Sequence, residues 1–179
     1  MMIPKRFLII LIAPLVFVAC AIAPQVMQMV PDVSGGAFHH SNKRLILGTV
    51  TGGEESDPFI KGSRIDALSF RGALLVALGE ARLFQMVRDY TAADYTLNAM
   101  IVSQDQPIIG VDMTVSLIVR YYLVDSSNNQ LVWSKDIIST YQAAFLESLV
   151  ASERVRKANE GAVRTNLGYL LAELSSLQL

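Results

Sequence analysis

Residues 111–125 read VDMTVSLIVRYYLVD, and residues 130–141 read QLVWSKDIISTY, with the chain's only tryptophan, Trp133, near the start. In the first stretch every second side chain is apolar: Val111, Met113, Val115, Leu117, Val119, Tyr121 and Leu123. A period of two predicts a long strand with one covered face and one wetter face. Between the two stretches lies Ser126-Ser127-Asn128-Asn129, and Asn tolerates the positive φ of a tight turn. The sequence therefore predicts an antiparallel hairpin.

The segments around this hairpin predict the rest of the fold. Lys43–Thr51 and Asp94–Ser103 are typical of strands, because they are rich in branched and aromatic residues. Ser63–Arg82 has a helical period, and so does a longer segment that begins at Ser148 or Ser152 and ends at Leu177. The order strand, helix, three strands, helix predicts an α+β fold with a mostly antiparallel sheet and both helices on one face.

The first helix begins with Ser63 and Asp66, which have the spacing of a capping box. Its apolar stripe contains Ile65, Leu68, Gly72, Leu75, Val76 and Gly79, and Leu74 and Leu78 widen it.

The last helix has an apolar stripe of Val155, Ala158, Ala162, Val163, Leu167, Leu170, Leu171 and Leu174. Its charged residues are expected to face outward: Glu153, Arg154, Arg156, Lys157, Glu160, Arg164 and Glu173. Glu153–Lys157 and Glu160–Arg164 have the favourable i,i+4 orientation of an ion pair.

Length and composition exclude several classes of protein. A chain of 179 residues with 52% hydrophobic residues is long enough for one domain with a working core. The 15 basic residues balance 16 acidic ones, so the chain lacks the basic excess of a nucleic-acid-binding protein. One cysteine excludes an internal disulfide and a Cys-rich zinc site.

The N-terminus is typical of an export signal. Lys5 and Arg6 precede an uncharged apolar run from Phe7 to Ala19, which is shorter than the about 20 residues of a transmembrane helix. The run ends at Cys20, and Val18-Ala19-Cys20 resembles a bacterial lipobox, in which the cysteine is acylated and becomes the new N-terminus. Phe17 stands where the lipobox usually has Leu. By the same resemblance, Ala21 after the cysteine implies the outer membrane.

Two other interpretations of this region remain open. An ordinary signal peptidase could cut after Ala21-Ile22-Ala23, but Pro24 would then follow the cut, where proline is poorly accepted. Cys20 could also be an inert buried residue. We favour the division of the chain into a lipoprotein signal peptide (1–19), a lipidated N-terminus with a flexible tether (20–41), and a single α+β periplasmic domain (42–179).

The tether is more apolar than a pure spacer requires, owing to Met27, Met29, Val30 and Val33. These side chains lie on the folded domain, on a partner or in the membrane interface, and the sequence leaves the three alternatives open. His39 and His40 are adjacent in this segment, and adjacent residues in a linker rarely converge on one metal ion.

A search for catalytic residues gives little. The chain has no nucleophile elbow, phosphate loop, zinc-protease helix or dinucleotide fingerprint. Glu54, Glu55 and Asp57 could bind a divalent cation, but a solvated loop is the preferred interpretation. Asp112 and Asp136 are expected on the polar face of the hairpin. Ser69 and Ser134 have no recognisable activating partner. We expect no enzyme activity, no cofactor and no metal.

Short motifs resemble a set of small bacterial envelope lipoproteins. Ala93-Asp94-Tyr95-Thr96-Leu97 and the hairpin (119–125 and 131–134) resemble the LpoB and CsgG families, which activate a penicillin-binding protein and secrete curli. The element order and Asp57-Pro58-Phe59 resemble the lipopolysaccharide-assembly family LptE, and the general plan is similar to the YajG type. The resemblance covers most of residues 42–177. It implies a non-catalytic role and transfers one site residue, the lipid attachment at Cys20.

Two functions follow as expectations. The first is a lipid-anchored adaptor or assembly factor for another outer-membrane or cell-wall biogenesis protein, whose identity the sequence does not give. The second is a lipid- or glycan-binding carrier module, with an apolar groove to which the tether methionines, Phe59 and Ile60 would contribute. In both, the membrane is contacted through the N-terminal acyl chains.

Substitution of Cys20 by Ser tests the lipoprotein prediction. Without the thiol the chain cannot be acylated, so it should stay uncleaved or lose its membrane anchor. The test is membrane fractionation and gel mobility of both forms. A variant that still fractionates with the outer membrane at wild-type size contradicts the prediction.

Overall fold

A computed structural model describes residues 24–36, 38–54, 63–106 and 112–179 of the chain. Within them the strands are β1 Arg44–Gly52, β2 Gln85–Met86, β3 Tyr95–Asp105, β4 Met113–Asp125 and β5 Leu131–Ala143, and the helices are α1 Ala67–Ala81 and α2 Ala151–Ser176. Single 3₁₀ turns occupy Val26–Met29, Tyr90–Ala92 and Phe145–Glu147. The α+β class and the predicted order of elements are confirmed, and β2 is an additional short strand. The predicted signal peptide and Cys20 lie outside the described residues.

The five strands form one sheet in the order β2-β1-β3-β4-β5. β3, β4 and β5 are antiparallel neighbours, whereas β1 is parallel to both β2 and β3. The sheet is therefore mixed, and the expectation of a mostly antiparallel sheet is wrong in this detail. The reason is that α1 lies between β1 and the next strands and returns the chain to its starting end, as a crossover helix does.

The hairpin of β4 and β5 confirms the pattern that the sequence predicts. Val119 is opposite Ile137, and Leu123 is opposite Trp133, which packs against the core. The alternating side chains of β4 from Met113 to Leu123 are buried. Asn129 takes the left-handed conformation in the turn, with φ of 59°. Local alternation was thus sufficient to place the longest pair of strands in the sheet.

Both helices pack on the face of the sheet that these side chains form. α2 lies across β4 and β5, and α1 lies on β1 and contacts α2. The predicted stripe of α2 is largely buried. The core between the helices and the sheet is a single cluster that includes Phe70, Leu74, Tyr121 and Leu167.

Helix α1 starts later and turns a different face inward than the sequence predicts. Asp66, rather than Ser63, is the N-cap, and its carboxylate accepts hydrogen bonds from Ser69 N at 2.8 Å and Ser69 Oγ at 2.7 Å. Leu68 and Leu75 of the predicted stripe are exposed. The buried face instead consists of Phe70, Ala73, Leu74, Ala77, Leu78 and Ala81. Its small alanines let the helix approach the sheet closely.

The charged residues near the start of α2 also differ from the prediction. Arg154, Arg156 and Glu160 are buried instead of facing outward. The Arg156 guanidinium lies 2.6 Å from Glu153 Oε2 and 2.7 Å from Glu160 Oε1, so one arginine neutralises both carboxylates. The predicted i,i+4 partners bind backbone carbonyls instead, Lys157 that of Glu147 at 2.6 Å and Arg164 that of Gln28 at 2.7 Å.

Residues 24–36, the strap, explain why this side of α2 is covered. Gln25 N donates to Glu160 Oε1 at 2.8 Å, and Met29 is fully buried. Gly72 of α1 gives the strap room, because a Cβ there would lie 3.3 Å from Val26 Cγ2. The sequence predicts a flexible tether over 20–41, whereas the strap within it packs on the folded unit. Of its two methionines, Met29 lies on the domain and Met27 is exposed.

The packing of α2 on β5 predicts opposite effects of Ala at two helical glycines. A Cβ at Gly161 would lie 2.3 Å from ring atoms of Tyr141, whereas one at Gly79 in α1 would meet nothing within 4 Å. Gly161→Ala should lower the free energy of unfolding by about 1–3 kcal/mol through overpacking. Gly79→Ala should raise it by about 0.5–1 kcal/mol because it removes backbone entropy from the unfolded chain. Urea denaturation of both variants is the measurement, and a stabilised Gly161→Ala would refute the close contact.

Candidate functional site: the open sheet face and the loop before the last helix

The histidines and the acidic loop do not form a common site. His39 N donates to Ser175 Oγ at 2.7 Å on α2, while His40 Nδ1 lies 2.8 Å from the carbonyl oxygen of Arg82 at the end of α1. Glu54 forms an ion pair with Arg64 at 3.5 Å, and Glu55 and Asp57 lie outside the described residues. In the part of the chain that the structure describes, no three His, Cys, Asp or Glu residues lie close enough to hold a metal ion.

The other polar residues that the sequence singled out have structural partners. Ser69 belongs to the cap of α1 with Asp66. Asp112 precedes β4, and its carboxylate accepts hydrogen bonds from Gln142 Nε2 and Phe145 N, both at 3.0 Å. Ser134 is an exposed residue of β5. Asp136 forms an ion pair with Arg120 on the exposed surface of the sheet.

One face of the sheet, the open face, lies opposite the two helices. On the neighbouring strands β4 and β5 it presents Thr114, Ser116, Ile118, Arg120, Tyr122, Ser134, Asp136, Ile138 and Thr140. The sequence predicts this face correctly as the wetter one. Its apolar component is a cross-strand pair, Ile118 opposite Ile138, in which Ile138 is 63% exposed.

Arg120 and Asp136 form the strongest polar feature of the open face. Arg120 Nε and Nη2 donate to the two carboxylate oxygens of Asp136 at 2.5 and 2.7 Å, in a bidentate arrangement. These hydrogen bonds lower the pKa of Asp136 and raise that of Arg120. Because both side chains are about 40% exposed, the pair adds little to stability. The pair is better suited to holding the planar guanidinium of Arg120 and the carboxylate of Asp136 in a fixed orientation toward a partner.

β5 is also an edge strand. It contains 13 residues and is the last strand of the sheet, whereas the opposite edge is the two-residue β2. The outer side of β5 pairs with no other strand among the described residues. An edge of this length offers backbone donors and acceptors for the addition of a strand.

The loop between β5 and α2 is a second surface of unusual composition. Residues 145–150 read FLESLV, and four of these side chains, the apolar loop, are exposed: Phe145 by 41%, Leu146 by 91%, Leu149 by 78% and Val150 by 55%. Sequence reasoning missed this surface, because it left residues 145–147 unassigned and placed the start of the last helix at Ser148 or Ser152. The available signal was four apolar residues in six that precede the predicted apolar stripe of that helix.

The polar groups of this loop are bound within the domain. Ala144 N donates to Glu147 Oε1 at 2.9 Å, and the Ser148 carbonyl accepts from Arg154 at 2.7 Å. The Arg154 guanidinium also lies 5.0 Å from the centre of the Phe145 ring. The loop is therefore a defined structure that presents its apolar side chains outward.

A buried polar network connects β4, β5 and α2 and has no access to a ligand. The Tyr121 hydroxyl donates to Asn166 Oδ1 at 2.7 Å, and Asn166 Nδ2 donates to the Ile137 carbonyl at 2.8 Å. Asn166 Nδ2 also lies 3.2 Å from Ser139 Oγ, and the side chains of Tyr121, Asn166 and Ser139 are all buried. Burial raises the pKa of the Tyr121 hydroxyl well above its usual range. The network holds the helix on the sheet.

No protein-family model matches the sequence, and no curated protein sequence does either. Solved structures do share its fold. A protein of the DUF330 family from Xanthomonas campestris is similar with a TM-score of 0.61 and 14% identity, over 84% of this chain and 91% of that one. The uncharacterized lipoprotein B from Nitrosomonas europaea has a TM-score of 0.53 and 13% identity, over 81% and 90%.

A minor lipoprotein from Acinetobacter baumannii has a TM-score of 0.51 and 13% identity, over 76% of this chain and 93% of that one. Identities this low show the fold alone. The fold is thus one that small bacterial lipoproteins adopt. In the described part of the chain, no helix is long and apolar enough to cross a membrane.

The buried tyrosine predicts how stability responds to alkaline pH. The pKa of Tyr121 is raised in the folded state, so its contribution is present in full below the unfolded pKa of about 10 and is lost as the pH rises toward the folded pKa. Tyr121→Phe should cost about 1–3 kcal/mol at pH 7, because Asn166 loses its donor. Above pH 10 the difference from wild type should shrink by up to about 1.4 kcal/mol per pH unit.

Urea denaturation at pH 7 and pH 11 measures this effect. Tyr169→Phe, on the exposed side of α2, is the control and should follow the wild-type slope because it retains Tyr121. A constant difference between Tyr121→Phe and wild type at both pH values would argue against a buried neutral hydroxyl.

Proposed function

We propose that this chain is a lipid-anchored bacterial envelope protein, acylated at Cys20 and located on the periplasmic face of the outer membrane. In this proposal it acts without catalysis, as an adaptor or assembly factor for another outer-membrane or cell-wall biogenesis protein. The motifs that resemble LpoB, CsgG and LptE favour a partner in one of those biogenesis pathways.

The anchor is supported by agreement between the sequence and the fold. Cys20 follows a positively charged and apolar leader, and the fold is one that bacterial lipoproteins adopt. Two or three acyl chains would make the attachment stable, since each buried methylene contributes about 0.8 kcal/mol and one chain alone binds reversibly.

The adaptor role is carried by one observation, the open face that ends in the long edge strand β5. This surface has an exposed Ile138, a bidentate Arg120–Asp136 pair and 13 residues of edge backbone. Apolar contact, oriented polar groups and strand addition together are the elements of a protein-binding surface. Of the polar residues that the sequence singled out, Ser69 belongs to the cap of α1, Asp112 binds Gln142 and Phe145, and Asp136 forms an ion pair.

In-cell photocrosslinking tests the adaptor role. A crosslinking amino acid at Ile138 should capture one envelope protein, which mass spectrometry then identifies, whereas the same group at Tyr169 on the helix side should not. Ile138→Arg should reduce recovery of that protein at least about tenfold, because a charge replaces an anchor at the interface. Tyr169→Arg should leave recovery unchanged.

Both residues are more than half exposed, so both variants should keep the wild-type melting temperature. Equal capture from Ile138 and Tyr169, or full recovery with Ile138→Arg, would remove the open face from the proposal. An outer-membrane barrel or a cell-wall synthase among the captured proteins would identify the pathway.

A cavity beside α1 supports a second candidate, the carrier. It measures about 460 Å³ and is lined by Ile46, Leu47, Arg71, Leu75, Gly79, Met86, Val87, Arg88 and Tyr90, which is within the size range of small-molecule sites. It does not use the buried Met29, and Phe59 and Ile60 lie outside the described residues. Consistent recovery of one lipid or glycan with the purified protein, and of no protein partner, would favour the carrier.

A further inference from the structure

The strap fixes the direction from which the N-terminus reaches the domain. Its residues contact α2 in parallel order: Gln25 binds Glu160, Gln28 binds Arg164, and His39, just beyond the strap, binds Ser175. Followed backward, the chain therefore approaches from the first turns of α2. This is the end of the domain that carries the apolar loop.

The distance to be covered matches the length of chain available. Glu160 is nine residues after Ala151, the first residue of α2, which corresponds to about 13.5 Å along the helix axis. Cys20 is four residues before Pro24, and four extended residues span at most about 14 Å. Cys20 can thus reach the level of the apolar loop but not the far end of the 13-residue strand β5, which lies about 43 Å from that loop.

The apolar loop has the properties of a surface that enters the headgroup region of a bilayer. Leu146 and Leu149 are its most exposed side chains, and the backbone and carboxylate of Glu147 are already bound by Lys157 and Ala144 N. Insertion would therefore leave few polar groups without partners. Leu68, exposed in the first turn of α1, lies at the same end, next to the bridge between Gly53 and Asp66.

The opposite end of the domain is mostly polar, although Leu131 and Val132 are exposed there. It consists of the turn Ser126–Gln130 between β4 and β5, together with the Arg44–Asp94 ion pair at the start of β1 and β3. The charges near the apolar loop are of both signs, with Glu147, Glu153 and Asp112 near Arg154, Arg156 and Lys157. The contact expected there is apolar and independent of lipid charge.

We infer that the apolar loop docks on the same bilayer that holds the acyl chains of Cys20, so that the loop end of the domain faces the membrane and the hairpin turn points away from it. This inference rests on the proposed lipidation of Cys20 and adds a second, protein-mediated contact to it.

Site-specific fluorescence in vesicles tests this orientation. Cys20 is the only cysteine, and acylation of its sulfur leaves a cysteine introduced by Leu149→Cys as the one reactive thiol. The full-length lipoprotein, labelled there with an environment-sensitive dye, is reconstituted into phosphatidylcholine vesicles that contain a lipid-borne quencher. Leu131→Cys, an exposed leucine at the hairpin end (58% exposed), is the matched control.

We expect quenching at position 149 that is at least about threefold stronger than at position 131, since interfacial side chains lie about 5–10 Å within the headgroup and acyl boundary. Phosphatidylglycerol in the vesicles should not change the ratio. Addition of Leu146→Glu should reduce the quenching at 149 at least about threefold, because an ionised carboxylate resists insertion. Equal quenching at 149 and 131, or none at 149, would overturn the inference.

The same experiment separates this inference from the proposed function. If the chain without an introduced cysteine takes up the dye and does not remain with the vesicles, Cys20 is not acylated and the anchor itself is wrong. If it remains with the vesicles while position 149 is not quenched, the anchor is supported and only the docking of the loop is wrong.

Discussion

The position of α2 on the sheet determines where the other parts of this protein lie. Three of the polar residues on the buried side of α2 each bind a different segment. Asn166 binds β4 and β5, Asn159 binds the Ser63 carbonyl and Gln104 of β3, and Glu160 binds the strap. A buried polar group without its partner costs about 1–3 kcal/mol. A shift of α2 by one turn would break all three sets of contacts at once, so the helix has one favourable register.

The register of α2 also determines where the strap and the open face lie. Because Glu160 and Arg164 bind the strap in parallel order, the first residues of the strap lie toward the start of α2. Because α2 covers one face of β4 and β5, Arg120, Asp136 and Ile138 remain on the other. The helix thus separates the side on which the strap lies from the open face.

The sequence predicts the features that depend on local pattern. The alternation from Met113 to Leu123 and the Asn-rich turn specify the hairpin, because side-chain period and turn chemistry are properties of neighbouring residues. Features that depend on distant partners were not predicted. Arg156 and Glu160 look like residues of a solvated helix face until Gln25, 135 residues away from Glu160, covers them. A strand of two residues, such as β2, is too short to show a side-chain period, so the sequence did not predict it. The parallel pairing of β1 with β2 and β3 was not predicted either.

Two features were missed from the sequence for different reasons. A pattern assigns apolar residues to a core, and the apolar loop reverses this assignment, whereas the strap was expected to be flexible because of its Pro and Gly residues. Leu146 and Leu149 are apolar and exposed, and the segment around Met29 is rich in Pro and Gly yet packed. The reversal in the apolar loop is informative, because an exposed apolar group that is held in a defined conformation needs a partner outside the chain.

The two proposals are geometrically compatible. With the apolar loop on the membrane, β4 and β5 run away from the bilayer, since both have one end beside that loop and meet at the turn Ser126–Gln130. The open face and the edge of β5 then extend for about 43 Å along the membrane normal. Lipid does not cover them. A short lipidated N-terminus alone would let the domain rotate. A second contact through the loop would restrict this rotation and keep Arg120, Asp136 and Ile138 directed toward the space where a periplasmic partner approaches.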